Sequence, residues 1–120
     1  METLCLIRDL QRNIAAYEAK MIERYGLCLN EGMLLCTLSN AKRPLSSGEV
    51  AEMLGLTTSN ASKVIASVER KGLIERSLGN ADKRHMYFKL TGAGHGKLRA
   101  VTYGSTELPD NLRAIVQAAS

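Results

Sequence analysis

Residues 46–76, SSGEVAEMLGLTTSNASKVIASVERKGLIER, decide the fold of this 120-residue chain. The Ser-Ser-Gly-Glu of residues 46–49 has the Ser-x-x-Glu form of a capping box, which opens a short helix. A longer helix then begins at Thr57 or Thr58 and runs to about Lys71. Two helices joined by a tight turn predict a helix-turn-helix.

The sequence after Gly72 changes from a helical to a strand-like pattern. Residues 73–78 (LIERSL) and 85–90 (HMYFKL) are two strand candidates, and the turn formers of residues 79–84 (GNADKR) predict a hairpin with a basic tip. A helix-turn-helix followed by such a hairpin, or wing, is a winged helix-turn-helix. The predicted fold class is therefore mainly α, with a small two- or three-stranded β-hairpin wing.

Further helices are expected on both sides of this region. Residues 4–25 contain no Gly or Pro, and their apolar side chains recur at spacings of three and four as one stripe. The stripe consists of Ile7, Leu10, Ile14, Tyr17 and Met21. Asn30 opens another helix, in which the apolar residues 33–38 indicate burial on several sides. Residues 92–96 (GAGHG) are expected to be a flexible connection to the C-terminal helices.

Basic residues are concentrated in one part of the chain. The net charge is +4, but the stretch from Lys63 to Arg99 holds nine basic and three acidic residues, so it carries +6 and the remainder −2. Such a local excess of one sign is typical of a surface that binds phosphates.

The second helix of a helix-turn-helix has the right width to enter the major groove of DNA. Its outward face carries short hydrogen-bonding side chains and cations, with no Asp or Glu before Glu69. Asn60 can pair with adenine, and Lys63 can reach guanine or a phosphate. A solvated helix face remains the alternative, although such faces usually mix both signs. The predicted DNA-binding residues of this helix are Thr58, Ser59, Asn60, Ser62, Lys63, Ser67 and Arg70.

These motifs together resemble the MarR family of bacterial transcription regulators over residues 30–94. The more specific features are the Asp-x-Arg of residues 82–84 and the Leu-Thr-x-x-Gly of residues 90–94. The resemblance implies that Arg84 enters or skirts the minor groove while Asp82 holds the wing in shape, and narrow minor grooves attract Arg. In the alternative interpretation, Asp82 and Arg84 only form an ion pair that closes the hairpin.

The basic residues Arg76 and Lys83 are predicted to be further phosphate contacts. The resemblance also implies a homodimer joined through terminal helices, which suits the apolar stripe. The predicted dimerisation residues are Ile7, Leu10, Ile14, Leu112 and Val116.

The predicted organisation is a single winged-helix domain over residues 1–120. It comprises an N-terminal dimerisation helix (1–26), the DNA-binding winged helix (30–91) and a C-terminal helical dimerisation segment (92–120). The predicted function is a ligand-responsive repressor that binds a pseudo-palindromic operator as a homodimer. Its partners would be double-stranded DNA, a second copy of the chain and a small-molecule effector.

Other classes of protein are disfavoured. No apolar run is long enough to span a bilayer, and no signal peptide is visible, so we expect a soluble, cytoplasmic protein without membrane contact. No cofactor, metal site or catalytic residues are predicted, so the chain is not expected to be an enzyme. The three cysteines lack metal-site spacing and are expected to be reduced and mostly buried.

Two alternative functions stay open. One is a winged helix that binds proteins without specific DNA binding, and the basic stretch counts against it. The other is a redox-sensing regulator acting through Cys5, whose nearest cation, Arg8, lies one turn away.

Overall fold

The computed structural model describes three stretches of the chain, residues 2–78, 86–103 and 108–119. The chain divides into two compact units. The winged-helix unit is Leu29–Tyr103, and the terminal unit is Met1–Cys28 with Gly104–Ser120. The predicted C-terminal dimerisation segment, residues 92–120, is therefore shared between the two units.

Helices dominate the described residues, and a small sheet accompanies them. In chain order the elements are α1 (Thr3–Tyr25), α2 (Leu29–Ala41), β1 (Leu45–Ser46), α3 (Ser47–Leu54), α4 (Thr58–Arg70), β2 (Ile74–Leu78), β3 (Met86–Leu90), α5 (Gly92–Tyr103) and α6 (Asp110–Ala119). Within these described stretches, no helix is both long enough and apolar enough to cross a membrane. The predicted helix-turn-helix corresponds to α3 and α4, and the predicted hairpin strands to β2 and β3.

The sheet has three antiparallel strands in the order β1-β3-β2. β2 pairs with β3 from Ile74 opposite Leu90 to Leu78 opposite Met86. β1 contributes only two residues, and its Leu45 lies opposite Phe88. A strand of two residues is too short to show an alternating pattern, so only its tertiary pairing reveals it.

The core of the winged-helix unit is formed by one face of each helix and the inner face of the sheet. Its buried apolar residues are Leu34, Leu35, Leu38, Leu45, Val50, Ala51, Ala61, Ile65, Val68, Leu73, Ile74 and Phe88. The α4 members of this set, Ala61, Ile65 and Val68, recur at spacings of four and three, so the opposite side of α4 is left to solvent.

Two expectations about burial were wrong. Met33 is 46% exposed and Cys36 is exposed, because α2 buries a single face, made by Leu34, Leu35 and Leu38. No disulfide joins the three cysteines, all of which lie in the described stretches, and Cys5 and Cys28 are only half-buried.

The expected flexible connection at residues 92–96 is instead the start of α5. Thr91 stabilises this helix start, because its hydroxyl oxygen accepts a hydrogen bond from the Gly94 amide at 3.0 Å and donates one to the Gly72 carbonyl at 2.7 Å. Gly94 is buried, and a Cβ atom there would overlap the carbonyl oxygen of Leu73. The glycine therefore permits close packing of α5 against the start of the hairpin rather than local flexibility.

Candidate nucleic-acid interface

Local sequence fixes the geometry of the helix-turn-helix. The Ser46 hydroxyl accepts a hydrogen bond from the Glu49 amide, and the Glu49 carboxylate accepts one from the Ser46 amide, so the capping box at α3 is complete. Gly55 ends α3 in the left-handed conformation, with φ of 67°. The Thr57 hydroxyl accepts a hydrogen bond from the Asn60 amide at 3.1 Å, so Thr57 rather than Thr58 caps α4.

The outward face of α4 presents most of the predicted DNA-binding residues to solvent. The exposed members are Thr58, Ser59, Asn60, Ser62, Lys63 and Arg70. Lys63 and Arg70 form no ion pair with any described residue, so their charges are available to a ligand. The amide groups at the start of a helix also favour anions. This face can therefore combine base-edge hydrogen bonds with phosphate contacts.

Ser67 is placed differently from the other predicted residues of α4. It is half-buried, and its hydroxyl donates a hydrogen bond of 2.7 Å to the carboxylate of Glu31 on α2. The Lys71 ammonium lies 2.5 Å from the same oxygen. Glu31 is only 6% exposed, so this cluster fixes the end of α4 to the start of α2. The Ser67 hydroxyl is thus engaged by Glu31, and its contact with DNA stays a prediction.

Arg76 lies on β2 and forms hydrogen bonds with Glu69 of α4. Its Nε and Nη2 donate hydrogen bonds of 2.7 and 3.2 Å to the two carboxylate oxygens of Glu69. The guanidinium carbon is also 5.9 Å from the centre of the Phe88 ring, within the range of a cation–π contact. The hydrogen bonds from Arg76 lower the pKa of the Glu69 carboxyl and raise the pKa of the guanidinium.

The predicted wing residues Asp82, Lys83 and Arg84 lie outside the described residues. Their roles at the wing tip stay predictions.

Sequence reasoning missed an ion pair beside the capping box. Arg43 Nη2 lies 2.6 Å from the Glu49 carboxylate. This hydrogen bond, followed by the one from the Ser46 amide, lowers the pKa of the Glu49 carboxyl to about 2. The capping box identified Glu49, but no local pattern indicated that a residue three positions before the box would reach it.

Sequence reasoning also missed a cationic cleft in the winged-helix unit. It measures about 340 Å³ and is lined by the end of α2, the loop before β1, the end of β3 and the first turn of α5. Its lining residues are Leu38, Ser39, Lys42, Arg43, Pro44, Lys89, Leu90 and His95, which include three basic side chains, one histidine and no carboxylate. Four separate elements contribute these residues, so no single stretch of sequence could reveal the cleft.

The terminal unit carries the predicted dimerisation residues. Asn13 on α1 donates a hydrogen bond of 2.8 Å to the side-chain oxygen of Asn111 on α6, which joins the two helices. Ile7, Ile14 and Val116 are between 41% and 49% exposed. Leu10 and Leu112 are half-buried. Exposed apolar residues on both helices are what a subunit interface requires.

Comparison with known proteins agrees with this architecture. The model of the MarR family matches residues 27–86. The transcriptional repressor MprA of Escherichia coli K12 is 30% identical over 99 residues, which cover 82% of this chain and 55% of MprA. The chain thus spans about half the length of the curated relatives that it matches.

Solved structures of regulators share the fold. A Staphylococcus aureus MepR–DNA complex gives a TM-score of 0.77 at 21% identity, with 99% of this chain and 93% of that chain covered. The PcaV transcriptional regulator of Streptomyces coelicolor gives 0.73 at 24% identity, with 85% and 74% covered. These likenesses confirm the predicted winged-helix fold class. MprA is described as a transcriptional repressor and PcaV as a transcriptional regulator.

Proposed function

The chain belongs to the MarR family, and on that premise we propose that it is a DNA-binding transcription repressor. It acts as a homodimer on a pseudo-palindromic operator and responds to a small-molecule effector. The observation that carries the proposal is the outward face of α4, where exposed polar side chains share one surface with Lys63 and Arg70, two cations that pair with no described residue. The DNA complex of MepR and the repressor description of MprA support the same assignment.

Selection of bound sequences from random DNA tests this proposal directly. Two recognition helices in a two-fold dimer should select a pseudo-palindrome whose half-sites lie about 10 base pairs apart or a multiple of it. Binding should also weaken as salt rises. The slope of the logarithm of the binding constant against the logarithm of the salt concentration should be about −0.9 for each phosphate contacted. Weak binding that is equal for all sequences would favour the protein-interaction module instead, and so would a slope near zero.

Two variants of α4 separate specificity from affinity. Asn60→Ala should relax the base preference at one position of each half-site and cost about 1–3 kcal/mol on the preferred sequence. Lys63→Ala should reduce the salt slope if Lys63 meets a phosphate. Lys20→Ala, which removes an exposed cation from α1, is the matched control for the loss of charge. Equal losses of Asn60→Ala on preferred and random DNA would exclude a base-reading role for Asn60.

The homodimer is supported by the exposed apolar residues of α1 and α6. Leu4 is 76% exposed and Ile115 53% exposed, in addition to the predicted residues of the stripe. Burial of apolar surface stabilises a protein by about 25 cal/mol for each Å² removed from water. A second copy of this chain that covers these residues would therefore form a stable dimer. Sedimentation equilibrium at micromolar concentration measures the state of assembly, and a monomer there would contradict this part of the proposal.

The cationic cleft supports the response to an effector. Its volume falls in the range of small-molecule sites, and buried Leu38 with Leu90 offers an apolar surface beside its cations. Two of these cations are already paired, Arg43 with Glu49 and Lys89 with Glu75, whereas Lys42 forms no ion pair with a described residue. An effector with an apolar body and one negative charge, bound at Lys42, fits this combination. The protein–operator complex is titrated separately with benzoate and with neutral benzamide as the matched control. Benzoate should weaken operator binding, and benzamide should not. Lys42→Gln should reduce that response, and an unchanged response would place the effector elsewhere.

A further inference from the structure

Glu69 is the only acidic residue of α4, the helix proposed to read DNA. Its side chain is 29% exposed, on the part of the helix next to β2. A carboxylate on a surface that approaches phosphates raises the free energy of binding, because like charges repel. The ordinary pKa of a glutamate carboxyl is 4.5, and Arg76 lowers the pKa of Glu69 below it, so Glu69 carries its charge at neutral pH with or without Arg76.

Arg76 offsets that charge from the neighbouring strand. Both carboxylate oxygens of Glu69 accept hydrogen bonds from its guanidinium, and this bidentate geometry is the strongest that the two groups can adopt. Phe88 lies under the guanidinium, which further fixes its position. Lys63 and Arg70, the cations of the outward face, have no such partner among the described residues.

We propose that Arg76 affects DNA binding through Glu69, by cancelling its charge and holding it against β2, and does not itself contact a phosphate. Arg76 is then a positioning residue, which revises its assignment as a phosphate contact. The inference rests on the proposed DNA-binding function. It also explains how α4 can tolerate one carboxylate in its last turn while the rest of its outward face is neutral or basic.

A double-substitution cycle tests the inference. Operator affinity is measured against salt for the wild type, Glu69→Gln, Arg76→Gln and the double variant. Arg76→Gln leaves Glu69 uncompensated and should weaken binding by about fivefold or more. The double variant removes both charges and should return to within about threefold of the wild type, with the same salt slope. Arg113→Gln, which breaks an exposed arginine–carboxylate pair on α6, controls for the loss of an arginine.

A direct contact between Arg76 and a phosphate would give a different result. If Arg76 contacted a phosphate, the double variant would stay weak, and its salt slope would be shallower by about 1.8 for a dimer with two such contacts. That outcome would overturn the inference and leave the proposed function standing. A wild type that binds no DNA would refute the proposed function and the inference together.

A folding defect can be separated from a loss of charge compensation. Circular dichroism and thermal unfolding are recorded for all four proteins. Gln at both positions can still form a neutral hydrogen bond, so the double variant should fold. If Arg76→Gln alone unfolds, the comparison of the double variant with the wild type still decides between the two roles. Recovery of both affinity and slope supports the inference, and a persistent loss of either contradicts it.

Discussion

Gly94 offers the sharpest test of how α5 packs. We expect Gly94→Ala to destabilise the winged-helix unit, whereas Gly96→Ala in the same helix should stabilise it. A Cβ at Gly94 would overlap the Leu73 carbonyl oxygen and lie 3.0 Å from the carbonyl carbon and 3.2 Å from Leu90 Cδ2. A Cβ at Gly96 would meet no atom within 4 Å.

The magnitude follows from the difference between the two sites. Both substitutions gain the helix preference of Ala over Gly, about 0.8–1 kcal/mol. Only Gly94→Ala must also move backbone by a distance on the order of 1 Å, since non-bonded atoms prefer about 3.5–4 Å. Overpacking of this kind costs about 1–3 kcal/mol or more. The two variants should therefore differ by about this amount in the free energy of unfolding.

Urea unfolding followed by circular dichroism measures the difference, and thermal unfolding should show it as well. For a domain of this size, each kcal/mol corresponds to about 4–8 °C in the melting temperature. Equal stability of Gly94→Ala and Gly96→Ala would refute the close approach of α5 to Leu73. It would then also refute close packing as the role of the glycine in the Leu-Thr-x-x-Gly motif.

Three further predictions concern buried and exposed carboxylates and the first helix. Glu31→Ala should lower the free energy of unfolding by about 1–3 kcal/mol in urea titrations, because its hydroxyl and ammonium partners lose their acceptor. The pKa of Glu49 is lowered from 4.5 to about 2 by Arg43, so its contribution to stability is complete above pH 4.5 and is lost as the pH falls toward 2. Glu49→Gln should flatten the acid limb of stability against pH in that window, and an unchanged limb would mean that the pair contributes nothing. Ile7→Asp should shift the protein toward monomer in sedimentation, whereas Ala16→Asp, about 180° around α1 from it, should not; dimers in both would place the interface elsewhere.

The sequence determined the helix-turn-helix through local signals. The Ser46–Glu49 capping box, the left-handed Gly55 and the Thr57 cap all act within a few residues of the chain. Such signals are readable because the same backbone groups that need partners at a helix end lie next to the side chains that supply them. The buried face of α4 was equally readable from the spacing of its apolar residues.

Tertiary structure alone decided how the charged side chains are used. The helical pattern assigns Ser67 to the outward face of α4, but Glu31, far along the chain, accepts the hydrogen bond from its hydroxyl. The local excess of basic residues suggests a free cation at Arg76, but Glu69 binds it across the boundary between α4 and β2.

The structure of residues 92–96 likewise required tertiary contacts. Glycine is a poor helix former in isolation, so a local pattern favours flexibility there. Packing against Leu73 and the hydrogen bonds of Thr91 reverse that preference. Local sequence thus determines where helices begin and which face they bury, since those depend on neighbouring residues. The pairing of charges and the close packing of glycine depend on groups that only the folded chain brings together.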